Sequence, residues 1–166
     1  MQSPKFCTLV GRVTKGRGFA KDIFALEPIP GALSDGGRFY PGSLNVVLDG
    51  PVRLDVGKAI PFAGGKRYLW HVSINGVGTP VFAYRWKGCP LHVLEIVSPQ
   101  RLRDCLALDD GAALEVVLSC DQIRRVGYMA NIAWHLLWWR RESWYYIRDR
   151  YKRLVYLSRL NRFCSQ

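Results

Sequence analysis

The chain has 166 residues, 49% of them apolar, and a formal net charge of +11, which suits one ordinary domain with a true core and room for an appendage. Five cysteines (Cys7, Cys89, Cys105, Cys120 and Cys164), odd in number, widely spaced and without a Cys-x-x-Cys pair, exclude a metal cluster and argue against a disulfide framework. All five are expected to be reduced, and the N-terminal MQSPKFCTLV, which lacks an apolar stretch of secretory length, points to the cytosol.

From Phe6 onward the text is short apolar runs broken by Gly and Pro: CTLVGRVT, SLNVVLD, KRYLWHVSI, TPVFAYRW, HVLEIV and AALEVVL. Their alternation and their turn punctuation predict strands. FALEPIPGALSDGGRFYP, residues 24–41, holds too many breakers for a long helix and reads as a loop. Ser98 as N-cap and Pro99 at the first helical position predict a helix through QRLRDCLAL, stopped by Asp109-Asp110-Gly111. Many short strands with one or two helices predict a mainly β domain over residues 1–123, a small closed β-barrel.

Past residue 123 the pattern changes. Residues 124–166 contain no proline, place apolar residues at helical intervals, and carry 10 basic and 2 acidic side chains, against 14 and 11 in residues 1–123. This predicts a basic C-terminal helical extension, one long helix or a pair, with Met129, Ile132, Leu136, Trp144, Ile147, Tyr151 and Leu154 on one broad stripe. Its uncharged stretch, residues 126–139, is shorter than the ~20 residues a membrane-spanning helix needs. Four of six Trp and five of eight Tyr lie here beside Arg and Lys, a mixture that suits an anionic membrane surface, packing on the barrel, or self-association. Nucleic acid is the weakest option, since no recognised motif accompanies the arginines.

Three stretches could carry chemistry. VTKGRGFAK follows a predicted strand and spaces Gly16, Gly18 and Ala20 so that backbone N–H groups could approach a phosphate, with Lys15, Arg17 and Lys21 around it. A plain turn is the alternative, and the stretch is neither a Walker loop nor a dinucleotide fingerprint. In Pro41-Gly42-Ser43-Leu44-Asn45, Ser43 and Asn45 are two apart at the start of a strand, so their side chains share a face and offer two neutral oxygens. A turn whose hydroxyl and amide serve local backbone groups would have the same composition. His71, His92 and His135 stand alone and read as structural or surface residues, and Asp49 as a strand-end turn residue.

Together with Leu94-Glu95-Ile96-Val97-Ser98-Pro99-Gln100-Arg101-Leu102-Arg103 and Leu108-Asp109-Asp110-Gly111, these stretches resemble, in order and spacing, the archaeal CTP-dependent riboflavin kinases over roughly residues 8–118. The resemblance implies a six-stranded cradle-loop barrel and transfer of a γ-phosphoryl group from CTP to riboflavin. It implies that Ser43 and Asn45 hold Mg2+, with Ser43 in place of the family threonine. It also implies that Lys15, Gly16, Arg17, Gly18, Phe19 and Ala20 wrap the phosphates, and that Gln100, Arg101, Leu102 and Arg103 line the cytidine side. Glu95 matches the family glutamate that contacts the flavin, and could orient or deprotonate the accepting hydroxyl. Lys87 stands where the family has a threonine on the flavin side, so the acceptor pocket is altered; Lys87, Arg85 and Trp86 would suit an anionic or sugar-like acceptor, or edge the barrel. The alternatives are a kinase of the same mechanism for a sugar or lipid-linked alcohol at the inner membrane surface, and a non-catalytic nucleotide- or membrane-binding module.

Overall fold

The computed structural model describes residues 5–18, 22, 37–148, 162 and 165–166. Phe19, Ala20 and Lys21, most of the loop expected over residues 24–41, and Tyr151, Leu154 and Cys164 of the tail lie outside them.

All six expected strands form: β1 (Phe6–Thr14), β2 (Leu44–Leu48), β5 (Arg67–Val72), β6 (Val81–Trp86), β7 (Val93–Val97) and β8 (Ala113–Ser119). Three short ones join them: β3 (Arg53–Leu54), β4 (Ile60–Phe62) and β9 (Ile123–Arg124). The fold is mainly β, with a seven-stranded antiparallel sheet in the order β4-β5-β6-β7-β2-β1-β8 and a separate β3-β9 pair. The sheet curls. Just past β5, Ser73 bridges Val117 of β8 through two backbone hydrogen bonds of 2.7 and 2.9 Å, so the six strands from β5 to β8 return on themselves.

Curling gives the sheet two unlike faces. Alternate residues of each strand, among them Val13, Leu44, Val46, Leu48, Trp70, Leu94, Ile96 and Val116, point inward and form the main core. Trp70 fits there because its indole N–H donates to Asp55 O at 2.8 Å. The intervening residues look outward and are covered twice. Phe39, Leu69, Phe82, Tyr84 and Val97 make one apolar cluster. Cys89, Leu91 and Val93 make another with Ala133, Trp134, Trp138 and Tyr145 of the C-terminal extension.

That extension is a helical pair within the described residues: α2 (Tyr128–Trp138) and the single turn α3 (Trp144–Ile147), after the short α1 (Leu102–Cys105) earlier in the chain. Arg140, at φ 60, turns the chain between α2 and α3. The buried stripe differs from the one through Met129 and Leu136. Ala130, Ala133, Trp134 and Trp138 face the sheet, while Met129, Ile132, Leu136 and Ile147 are exposed. Two alanines let the helix approach closely, and the two indoles then fill the space beside them.

Two further expectations are corrected. The helix after Ser98 is only four residues long and is capped by Arg101, because the Ser98 hydroxyl accepts the Gln100 N–H and pairs with Thr79, which ties residues 98–100 into a turn. Ala107, at φ 47, then ends the helical path before Leu108. Cys7 and Cys120 form a disulfide across a sequence separation of 113 residues. The β1–β8 pairing brings them together, since Cys7 lies opposite Leu118 and the Cys120 N–H donates to Lys5 O. On the chain-entropy model a loop of that length contributes about 4–5 kcal/mol. Cys89 is a buried core residue with a free thiol, and Cys105 is an exposed free thiol.

Candidate active site

Inward Leu44 and Val46 fix the direction of Asn45, and inward Leu94 and Ile96 that of Glu95: both point outward, and the two residues are directly paired between β2 and β7. Thr14 pairs with Asn45 on the other side, and Tyr84 with Glu95. The row Thr14, Asn45, Glu95, Tyr84 therefore crosses four strands on one face.

Ser43, two residues before Asn45, shares that face. Its hydroxyl donates to Glu95 Oε2 at 2.6 Å, a short charge-assisted bond. Asn45 is 7% exposed, and its amide donates to Ser43 O at 3.4 Å. Gly16 covers it so closely that a Cβ on Gly16 would lie 2.1 Å from Asn45 Nδ2. Only glycine permits that approach. Gly18 takes φ 79, a conformation that also favours glycine. The glycine loop and the Ser-Asn pair, separate motifs in the sequence, are thus one structure.

The third motif joins them. The Arg103 guanidinium donates to Thr14 O at 2.9 Å and to Asp110 at 2.6 Å, tying the 100–103 segment to the root of the glycine loop. Between this segment and Ser43 lies a cavity of about 200 Å³, walled by Tyr40, Ser98, Gln100, Arg101, Leu102 and Arg103. Lys15 is exposed beside the loop. Arg17 turns toward the extension: its Nε donates to Tyr146 O at 3.4 Å and its guanidinium stacks 4.9 Å above the Tyr145 ring.

The donor set fits a magnesium ion that arrives with a nucleotide. Ser43 gives its proton to Glu95 and so keeps its lone pairs for a cation, and no described hydrogen bond uses Asn45 Oδ1. Two neutral oxygens suffice where phosphate oxygens and waters complete the octahedron. Among the described residues no cluster of three or more His, Cys, Asp or Glu offers a metal site.

Other candidates lie apart. Lys87 is in the exposed β6–β7 turn, its backbone N–H bonded to Lys66 O. Arg85 is turned inward and fully buried, donating to Val93 O, Leu91 O, Val52 O and Gln166 Oε1, and burial lowers its pKa to about 10. It is unavailable to an acceptor. Trp86 packs between the two outer clusters, 5.9 Å from the Tyr145 ring. His92 is structural, as expected. Its Nδ1 accepts from Trp134 Nε1–H at 2.9 Å, which leaves Nε2–H to donate to Glu142 O at 3.0 Å, and burial pushes its pKa down to about 3.

The extension also reaches the site, which the sequence reading did not foresee. Tyr146 buries its hydroxyl, and its carbonyl receives Arg17 of the glycine loop. The only sequence signal was the concentration of tyrosines in the tail.

No protein-family model matches the chain. Curated relatives do. Riboflavin kinases of Pyrobaculum arsenaticum and Pyrobaculum aerophilum are each 37% identical over 123 residues, covering 65% of this chain and 59% of the relative. The riboflavin kinase of Methanocella arvoryzae is 30% identical over 119 residues, covering 66% of this chain and 56% of its own length. The chain therefore spans a little under three fifths of these relatives, and its similarity is to archaeal riboflavin kinases, as its three motifs indicate.

Proposed function

We propose that this chain, a relative of the archaeal riboflavin kinases, transfers the γ-phosphoryl group of CTP to an alcohol with magnesium, riboflavin being the leading acceptor and FMN the product. The observation that carries this reading is the junction of three motifs: Gly16 closed over Asn45, Ser43 bonded to Glu95, and the 100–103 cavity beside them. In the proposed reaction the acceptor oxygen attacks the γ-phosphorus as the bond to the β,γ-bridging oxygen breaks. The hydroxyl proton passes to Glu95, and the products are a phosphate monoester and CDP. Magnesium, held by Ser43 and Asn45, would neutralise phosphate charge. The remaining work is positioning: the glycine loop offers backbone N–H groups to the phosphates, and Arg103 locks the loop root to the base pocket.

The test is the full chain with magnesium, riboflavin and each of CTP, ATP, GTP and UTP. Turnover with CTP, abolished by chelation and lowered at least about 100-fold in Ser43→Ala and Asn45→Ala, is the expected result. Turnover unaffected by both substitutions removes the metal assignment. Nucleotide binding without turnover of riboflavin favours a different alcohol or a silent binding module.

A second observation favours a location. Tyr128, Met129, Leu136 and Trp139 are 79%, 66%, 62% and 57% exposed on the outer side of α2, with Arg125, Arg140 and Arg141 nearby and Arg140 stacked on Trp139. Among the described residues no helix is long and apolar enough to cross a membrane. An apolar stripe edged by arginines, in a segment of net charge +8, complements an anionic lipid surface. The full chain should sediment with phosphatidylglycerol vesicles, less so at high salt and less so as Leu136→Asp. Equal sedimentation of Leu136→Asp, or self-association without vesicles, overturns this placement.

A further inference from the structure

The two apolar clusters on the outer face leave a gap, and Glu95 stands in it. Val93, two residues earlier on the same face of β7, belongs to the cluster under the extension; Val97, two residues later, belongs to the other. The extension thus closes one side of the gap. Its turn α3 stacks Tyr145 on Trp86, and Tyr146, next in the chain, receives Arg17 of the glycine loop on its carbonyl.

Tyr146 is half-buried as a residue, yet its hydroxyl is out of reach of solvent and has no hydrogen-bond partner among the described residues. Buried phenols nearly always find a partner, because desolvation without one costs free energy. A phenylalanine would fill the same space without that cost. The retained hydroxyl therefore calls for a partner that arrives from outside. Burial first, and then the negative charge of Glu95, hold the phenol pKa well above 10, so it is a protonated donor throughout the neutral range.

We propose that Tyr146 is an acceptor-binding residue contributed by the C-terminal extension: its partnerless buried hydroxyl, on the residue whose carbonyl receives Arg17 of the glycine loop, hydrogen-bonds a hydroxyl of the acceptor alcohol. This deepens the kinase reading and rests on it. The chemistry is complementary, because the Glu95 carboxylate can only accept, whereas a phenol both donates and accepts. A polyhydroxylated acceptor can meet both. The motif resemblance ends near residue 118, so this contact makes acceptor choice a property of the extension.

The experiment compares the full chain with Tyr146→Phe, using riboflavin as the probe. Riboflavin binding is read by flavin fluorescence quenching, turnover by steady-state kinetics, and Mg·CTP binding by calorimetry. Loss of one hydrogen bond predicts about a tenfold rise in riboflavin Kd and KM. The Mg·CTP affinity stays unchanged, and the Tm is equal or higher because an unsatisfied hydroxyl is removed. Riboflavin affinity within twofold of the parent overturns the inference and leaves the kinase reading standing. So does a lower Tm with parallel loss of both ligands, which marks a structural role. A parent chain that neither binds nor turns over riboflavin overturns the kinase reading, and this inference with it.

Discussion

Two polar regions of the sheet, one around His92 and the inward Arg85 and one on the outer face at Ser43, Asn45 and Glu95, are built on opposite terms. Where the extension docks, the His92 and Arg85 side chains are matched: both His92 nitrogens are engaged, and Arg85 answers three backbone carbonyls and a glutamine. Residues 165 and 166 complete this latch, with Gln166 bonded through backbone and side chain to Gly88, Cys89 and Leu54. In the gap beside it, Ser43 and Asn45 keep oxygen lone pairs outside any described bond, and the Tyr146 hydroxyl has no partner. Full satisfaction fixes one geometry and leaves nothing to bind. Incomplete satisfaction costs stability and leaves groups for a ligand. The difference separates scaffold from site more sharply than burial does, since Asn45 of the site is buried as His92 and Arg85 are.

The comparison can be broken from either end, and the site end should give the larger effect. In Gly16→Ala the new methyl meets the Asn45 amide, the end of a side chain that can swing away, and the Gly16 backbone does not adopt a positive φ. Stability should therefore change little, with a Tm shift of a few degrees at most. Asn45 is nevertheless displaced from its oxygen-donor position, and misplacement of about 1 Å at a reacting centre can cost about 100-fold. Activity down about 100-fold with a near-parental Tm is the expected split. A variant with full activity would detach the glycine loop from the metal assignment.

How far this contrast was legible in the sequence differs between the two regions. The placement of Asn45 and Glu95 was readable, because a strand has period two: once Leu44, Val46, Leu94 and Ile96 are inward, the two must share the outer face. The latch was not. A helix with apolar residues on several sides does not announce which stripe is buried, and the choice of Ala130, Ala133, Trp134 and Trp138 depends on the shape of the sheet it meets. Arg85 reads as a surface arginine until the carbonyls that receive it are brought together by Val52, Leu91 and Val93, on different segments. The Cys7–Cys120 link is set by the β1–β8 register and not by spacing, and β3, β4 and β9, at two or three residues, are too short to show a period.

The smaller effect is at the latch, and pH should reveal it. Trp134 donates to His92 Nδ1 while Nε2–H donates to the Glu142 carbonyl, so a second ring proton at Nδ1 would set donor against donor. Burial holds the folded pKa at about 3, below the ordinary 6.5. For a histidine depressed in this way the unfolded state binds the proton first. The stabilisation is complete above pH 6.5 and is lost as pH falls from 6.5 toward 3, at up to about 1.4 kcal/mol per pH unit. The loss falls on the extension, which His92 joins to the sheet, and only part of it reaches the curled sheet, which has no other buried histidine among the described residues. Tryptophan fluorescence, with four of six indoles in residues 124–166, should report release of the extension at mildly acidic pH, before far-ultraviolet circular dichroism reports loss of strands. His92→Gln should be less stable at neutral pH but flatter between pH 6.5 and 5. An unchanged slope in that variant would place the acid sensitivity elsewhere and take the latch out of the account of what holds Tyr146 and its helical turn on the sheet.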